Sequence, residues 1–260
     1  HRGIQYMFKM MNSARLAIGM QGLALGNAAY QQAKTYSQMR VQGRHLTTIM
    51  DPSSPKVPII SHPDVRRMLL FMKSMTNCLL ALFLSVAYYM DITMIAEKEE
   101  DRIKYQDYVS LLTPICKAYG SEQGSAVVNQ AMRVFGGNGY MKDYPIEQYT
   151  RDIVIATIYE GTNGIQALDL LGRKLAMKGG QVFLGFLNEM YTQVHASDVD
   201  DRIAPLLKEQ KNALDELKNT FFFLGQFQRN KEMMYPASRA IPFLMLMGHV
   251  VVCHFLLSQA

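Results

Sequence analysis

The chain has 260 residues, of which 49% are apolar and 19% charged, and a formal net charge of +5 at neutral pH. That supports one or two domains with a sizeable core and a globular rather than disordered chain. The positive balance suits an anionic partner such as a phosphate-bearing cofactor, but it is diffuse and lacks any aromatic-basic motif, so it does not argue for nucleic acid.

Nineteen methionines and no tryptophan point to helix–helix packing or apolar pockets, because Met is a flexible filler. Cys78, Cys116 and Cys253 stand far apart in apolar stretches; they fit no metal spacing and read as buried thiols in a reducing compartment. The sequence starts at His1 in mid-pattern and reads as an excised piece, so a missing targeting segment carries little weight.

The first expected element is a long helix from about Tyr6 to Arg40, with Met7, Met10, Met11, Leu16, Met20, Leu23, Leu25 and Ala28 as its apolar face. Gly19, Gly22 and Gly26 interrupt it, each at about 1 kcal/mol of helix propensity. Such small residues admit another helix, or a flat ligand, at close range. Gly43 and the proline-rich segment Asp51 to Pro63 read as loop.

Pro63 suits the first turn of a second helix, with Leu69, Leu70, Met72, Met75, Leu79, Leu80 and Phe83 on its core side, running toward Ile95. A third helix is expected from about Asp101 to Phe135, kinked by Pro114 near Leu112. A loop over Gly136 to Pro145 precedes a short helix, Ile146 to Ala156, and a fourth long one, Thr162 to Met177.

Long helices with short connections predict an all-α, antiparallel four-helix bundle over residues 1–178. Gly179-Gly180 is the expected boundary to a further helical region, residues 179–260, with helices near Phe183 to Tyr191, Leu206 to Phe227 and Ala240 to Ala260. Ile241 to Leu257 lacks Lys, Arg, Asp and Glu, yet is short for a membrane span. It reads as a buried helix whose partners lie downstream of the sequence.

One acid stands out. Glu160 follows the run Ile153-Val154-Ile155-Ala156-Thr157-Ile158-Tyr159 and precedes Gly161-Thr162, where a new helical pattern begins. A carboxyl in apolar surroundings is desolvated, which raises its pKa toward that of a usable base. An acid in a first helical turn that complements the helix dipole explains the same pattern.

The ordered array Phe135-Gly136-Gly137-Asn138-Gly139-Tyr140, Tyr144-Pro145-Ile146-Glu147, Arg151-Asp152 and Ile158-Tyr159-Glu160-Gly161-Thr162 resembles the C-terminal domain of acyl-CoA dehydrogenases. The likeness covers roughly Tyr6 to Leu175. The stretch Gly161 to Leu175, with the helical region beyond, resembles the 3-methylmercaptopropionyl-CoA dehydrogenase branch of that family.

The resemblance implies FAD, an acyl-CoA substrate oxidised to its 2-enoyl form, and Glu160 as the base that removes the α-proton while flavin N5 accepts the β-hydride. It implies FAD contacts at Arg40, Arg133, Gly136, Gly137, Thr162, Asn163 and Gly164, with Arg40 serving the flavin of a neighbouring subunit. It places Asn12 and Arg15 at the CoA nucleotide, and Tyr159 and Gly161 beside the substrate, Tyr159 and Ile158 excluding water.

Two departures stand out: Arg133 replaces a common Gln, and Arg40-Val41-Gln42-Gly43-Arg44 is one residue shorter than the family's Arg-x-x-Phe-Gly. His62 falls near an FAD-facing position but also reads as an ordinary helix-start histidine, and Arg151-Asp152 reads as a structural pair. A buried salt bridge is the alternative role for Arg15.

The family likeness further implies electron-transfer flavoprotein as electron acceptor, a homodimer or homotetramer, and a cytoplasmic or mitochondrial-matrix location, without nucleic acid, metal or membrane span. Domains that complete the flavin site precede the matched region in the family, so the isolated piece is expected to be inactive and colourless. An acyl-CoA oxidase is the alternative activity, and a non-catalytic helical oligomerisation module the alternative class.

Overall fold

A computed structural model describes residues 3–195, 200–229 and 232–259. Among these the protein is all-α, with a single two-stranded ribbon. The helices are α1 (Gly3–Met39), α2 (Pro63–Ile95), α3 (Glu99–Phe135), α4 (Ile146–Val154), α5 (Asn163–Asp169), α6 (Gln181–Val194), α7 (Ala204–Arg229), α8 (Met234–Ser238) and α9 (Ala240–Leu257). Pro63 opens α2, where its missing N–H is not needed, and Glu99, Glu100 and Asp101 open α3, where they complement the helix dipole. α3 continues through Pro114 to Phe135.

The chain forms two compact units, one of Met20–Asn77 and Gly120–Thr157, the other of His1–Gly19, Cys78–Tyr119 and Ile158–Ala260. Neither has an edge at Gly179-Gly180, where Lys178, Gly179 and Gly180 turn the chain into α6 with positive φ.

In the first unit, Ala29, Ala33 and Tyr36 of α1 pack with Met68, Leu69 and Met72 of α2, Val127, Ala131 and Phe135 of α3, and Ile146 and Ile153 of α4. α1 and α3 meet through glycine. A Cβ on Gly22 would strike the backbone of Gly120, and one on Gly124 the backbone of Gly22. Backbones this close leave no room for long side chains, so the methionine face expected of α1 is displaced: Met20 is 51% exposed. Leu70, expected in the core of α2, likewise points outward, while its neighbours Met68 and Leu69 are buried.

Strands β1 (Val41–Arg44) and β2 (Lys56–Pro58) pair antiparallel within what reads as loop in the sequence. Val41 faces Pro58 and Arg44 faces Lys56, so β1 carries one extra residue. Gly43, at φ +73°, absorbs that bulge.

In the second unit, the same close approach recurs where Gly19 meets the Cys116 carbonyl and the Phe83 ring. Tyr89, Tyr105, Tyr108, Phe186 and Phe255 form one aromatic cluster there. Leu80, expected inside, is exposed, and Leu79, Leu82 and Phe83 are buried instead.

α9 buries Phe243, Leu244, Met247, Val250, Val251, Val252 and Phe255. It packs on α5 and α7, so the partners expected downstream are present within the chain. By length and composition α2 and α9 are each apolar enough to cross a membrane. Cys116 is buried as expected, and Cys253 is exposed.

Candidate functional site

The Met20–Asn77 and Gly120–Thr157 unit holds a cleft of about 650 Å³ lined by Tyr36, Arg40, Gln42, Gly43, Ile59, His62, Val65 and residues 133–138. It brings together four residues expected at FAD, namely Arg40, Arg133, Gly136 and Gly137, with His62 beside them. Arg40 leaves the C-terminal end of α1, and the Ile59 N–H donates to its carbonyl at 2.8 Å. Arg133 lies in the last turn of α3.

Both arginines are exposed. Gly136 takes φ +61°, and a Cβ added at Gly136 or at Gly137 would meet nothing within 4 Å. Two cations beside open, side-chain-free backbone suit a pyrophosphate, whose oxygens accept from guanidinium groups and main-chain N–H. The residues present therefore fit the phosphate-bearing part of FAD.

Below the cleft rim, Asn138 Nδ2 donates to the Tyr36 hydroxyl at 2.8 Å, and the Tyr36 ring stacks on Phe135 with centroids 4.1 Å apart. His62 shares a hydrogen bond of 2.8 Å between its Nε2 and the Gln42 carbonyl. It is thus both the residue before the α2 start and a lining residue of the cleft.

The other unit carries Glu160 on a tight turn between the 3-10 turn Ile155–Thr157 and α5. Glu160 takes φ +57° and Gly161 φ +85°. A left-handed non-glycine residue costs of the order of 1–3 kcal/mol and persists only where its surroundings hold it. Here Arg15 Nε donates to the Glu160 carbonyl at 3.3 Å, and the Gln166 amide donates to the carbonyls of Glu160 at 3.3 Å and Gly161 at 3.4 Å. Thr162 then caps α5, its hydroxyl accepting from the Ile165 N–H at 3.3 Å.

Glu160 thus stands at the mouth of α5 and is half-buried. The apolar run before it does not enclose it: Val154, Ile155 and Ile158 are 51%, 46% and 53% exposed. Ile158, expected to exclude water, is among the exposed residues of this chain. Tyr159 is half-buried.

Arg15, expected at the CoA nucleotide, is buried. Its guanidinium is committed to the Glu160 carbonyl, to Asn12 Oδ1 at 3.5 Å and to Asp169 Oδ2 at 3.9 Å. A guanidinium removed from water needs such acceptors. Asn12 is half-buried. Asn163 also turns inward, its Oδ1 accepting from the Lys117 Nζ at 2.9 Å, while Gly164 has open surroundings apart from the Thr162 hydroxyl.

Arg151 pairs with Glu147 one turn away at 3.0 Å rather than with the adjacent Asp152. An i,i+4 spacing faces the two side chains, and adjacency does not.

Sequence reasoning missed Lys117, Lys174 and Gln166. Lys117 and Lys174 are buried, and desolvation lowers the pKa of Lys174, whose Nζ donates to Ser110 Oγ at 2.6 Å. A lysine inside the apolar run Leu111 to Ala118 was the available signal for Lys117. Gln166 had no signal beyond its position six residues after Glu160. No group of metal-ligating side chains occurs among the described residues.

The chain matches the family model "Acyl-CoA dehydrogenase, C-terminal domain" over residues 1–175. It is similar to 3-methylmercaptopropionyl-CoA dehydrogenase of Ruegeria pomeroyi, 37% identical over 95% of this chain and 42% of that protein. It is also similar to a butyryl-CoA dehydrogenase of Syntrophomonas wolfei, 42% identical over 73% of this chain and 30% of that protein. A solved acyl-CoA dehydrogenase of Bacillus anthracis, complexed with FAD, shares the fold with a TM-score of 0.79, at 20% identity over 99% of this chain and 43% of that one. The chain therefore spans less than half the length of these relatives.

Proposed function

The chain belongs to the acyl-CoA dehydrogenase family, and on that premise we propose that it is the C-terminal part of an FAD-dependent enzyme that oxidises an acyl-CoA to its 2-enoyl-CoA, with Glu160 as the base. The observation that carries the reading is the Glu160 turn: a carboxylate on a left-handed residue, at a helix mouth, with its own carbonyl held by two side chains. A purely structural acid at a helix start needs no such hold.

Removing the α-proton of a thioester requires a base within reach of Cα, held on one face of the Cα–Cβ bond. Glu160 takes that proton. FAD, when bound, supplies the acceptor for the hydride that leaves Cβ from the opposite face. The proton and the hydride together account for the two hydrogens lost as the double bond forms.

Arg40, Arg133, Gly136 and Gly137, which line one cleft, would hold the phosphates of one FAD through guanidinium and backbone N–H groups, and Arg40 assigns that flavin to a second copy. Thr162, Asn163 and Gly164 take part through the backbone at the start of α5, since the Thr162 and Asn163 side chains are occupied by the cap and by Lys117. Asn12 faces the CoA, Arg15 acts through the turn, and Tyr159 and Gly161 border the thioester.

The family-model match, which ends at residue 175, supports a module boundary near residues 178–179. Electron-transfer flavoprotein is the proposed acceptor. Rapid reoxidation of the reduced flavin by air would favour an oxidase instead.

The test is Glu160→Gln in the full-length protein. The swap keeps size and removes the base, so FAD and acyl-CoA binding persist while flavin bleaching by acyl-CoA falls by about 10²-fold or more. Bleaching at the wild-type rate would remove Glu160 from this role.

A further inference from the structure

Gln166 is fully buried, and its amide nitrogen donates to two successive carbonyls, those of Glu160 and Gly161. Both acceptors are oxygens, so the amide must present its NH₂ to the turn and its Oε1 elsewhere. That Oε1 is buried and has no partner. An unpartnered buried acceptor is destabilising, and an apolar side chain of the same length avoids it.

Met would fill the same space without that orphaned oxygen. What Met cannot do is donate. The two donors act at the left-handed residue Glu160, at φ +57°, and at Gly161, whose φ of +85° needs no side chain. A Cβ on Gly161 would come within 2.8 Å of the same amide nitrogen, so the turn is built around this contact.

We infer that Gln166 is a positioning residue for the base: by gripping the Glu160 and Gly161 carbonyls it fixes the direction in which the Glu160 side chain leaves the backbone. The inference rests on the proposed role of Glu160. Arg15 restrains the same Glu160 carbonyl, but it also pairs with Asp169 and Asn12, whereas the Gln166 hydrogen bonds all go to the turn. Release of the grip lets Glu160 relax toward the ordinary right-handed region and swings the carboxylate away from its place. Misplacement of a reacting group by about 1 Å costs on the order of 10²-fold in rate.

The experiment uses the full-length protein with FAD bound. Gln166→Met loses two hydrogen bonds to the turn and relieves the unpartnered Oε1, so it is expected to fold and melt within a few degrees of wild type and to keep KM for acyl-CoA within about twofold. Its flavin bleaching should be slower by about tenfold or more, with a larger isotope effect from α-deuterated acyl-CoA. Wild-type bleaching in a folded Gln166→Met overturns the inference.

Gln166→Glu gives an independent reading. Its introduced carboxylate cannot donate to the carbonyls, but the protonated acid can donate once, so its rate relative to wild type should rise as pH falls. A flat ratio overturns the inference even if the Met variant does not fold. Glu160→Gln separates the two claims: if that variant bleaches normally, the base is misassigned, whereas an inactive Glu160→Gln with a fully active Gln166→Met leaves the base in place and removes Gln166 from positioning it.

Discussion

Gly161 shows how one absent methyl group permits the turn. Its φ of +85° is ordinary for glycine and strained for any other L-residue, and the space a Cβ would take is held by the Gln166 amide. Gly161→Ala should therefore cost about 1–2 kcal/mol in a thermal or urea melt, and turnover should fall further than stability because the base moves with the turn. An unchanged melt would mean that the turn tolerates a side chain. Arg40 poses a different test at the same scale. It is exposed and lines the cleft, so Arg40→Ala should leave stability unchanged and weaken FAD retention in equilibrium dialysis of the full-length protein. Retention equal to wild type would exclude the phosphate contact.

Among the elements, α9 carries a buried titratable group. His254 bonds to the Gln193 side chain, and burial pushes its imidazole down to about 4 from an ordinary 6.5. The folded protein keeps it neutral where the unfolded chain is protonated. Stability present at neutral pH should thus be lost as pH falls from about 6.5 to about 4, by up to ~3 kcal/mol. Urea melts across that range check the slope, and His254→Gln should flatten it. The opposite slope would show that His254 is charged in the fold.

The glycines of α1 act at this scale too. Gly22 and Gly26 lie on the stripe that meets α3, and the close approach was legible as a run of small residues. Which face of α1 it would bury was not, because the methionine pattern competes with it and loses to backbone contact.

For the molecule as a whole, the surface is unusually apolar along part of α2. Leu80, Leu84 and Tyr88 recur every fourth residue and are 47%, 57% and 62% exposed. One helix face of that kind favours burial against another protein surface. The chain produced by itself should therefore sediment as a dimer or larger at micromolar concentration, and Leu84→Lys should reduce that association. A monomer at all concentrations would show that this face remains in water.

The sequence alone was sufficient for the three long helices of its first half and for the Pro63 start, because these depend on local backbone preferences and short-range spacing. The ribbon over residues 41–58 was not legible: its pairing is set by a bulge at Gly43, and Pro58 by itself argues for loop. Nor were the exposure of Ile158, the inward turn of Asn163 toward Lys117, the commitment of Arg15 to the Glu160 carbonyl, or the hold of Gln166. Each depends on which residue from a distant segment supplies the partner. A buried donor or acceptor takes the partner that the packed fold brings within 3 to 4 Å, and only the tertiary structure decides which one that is.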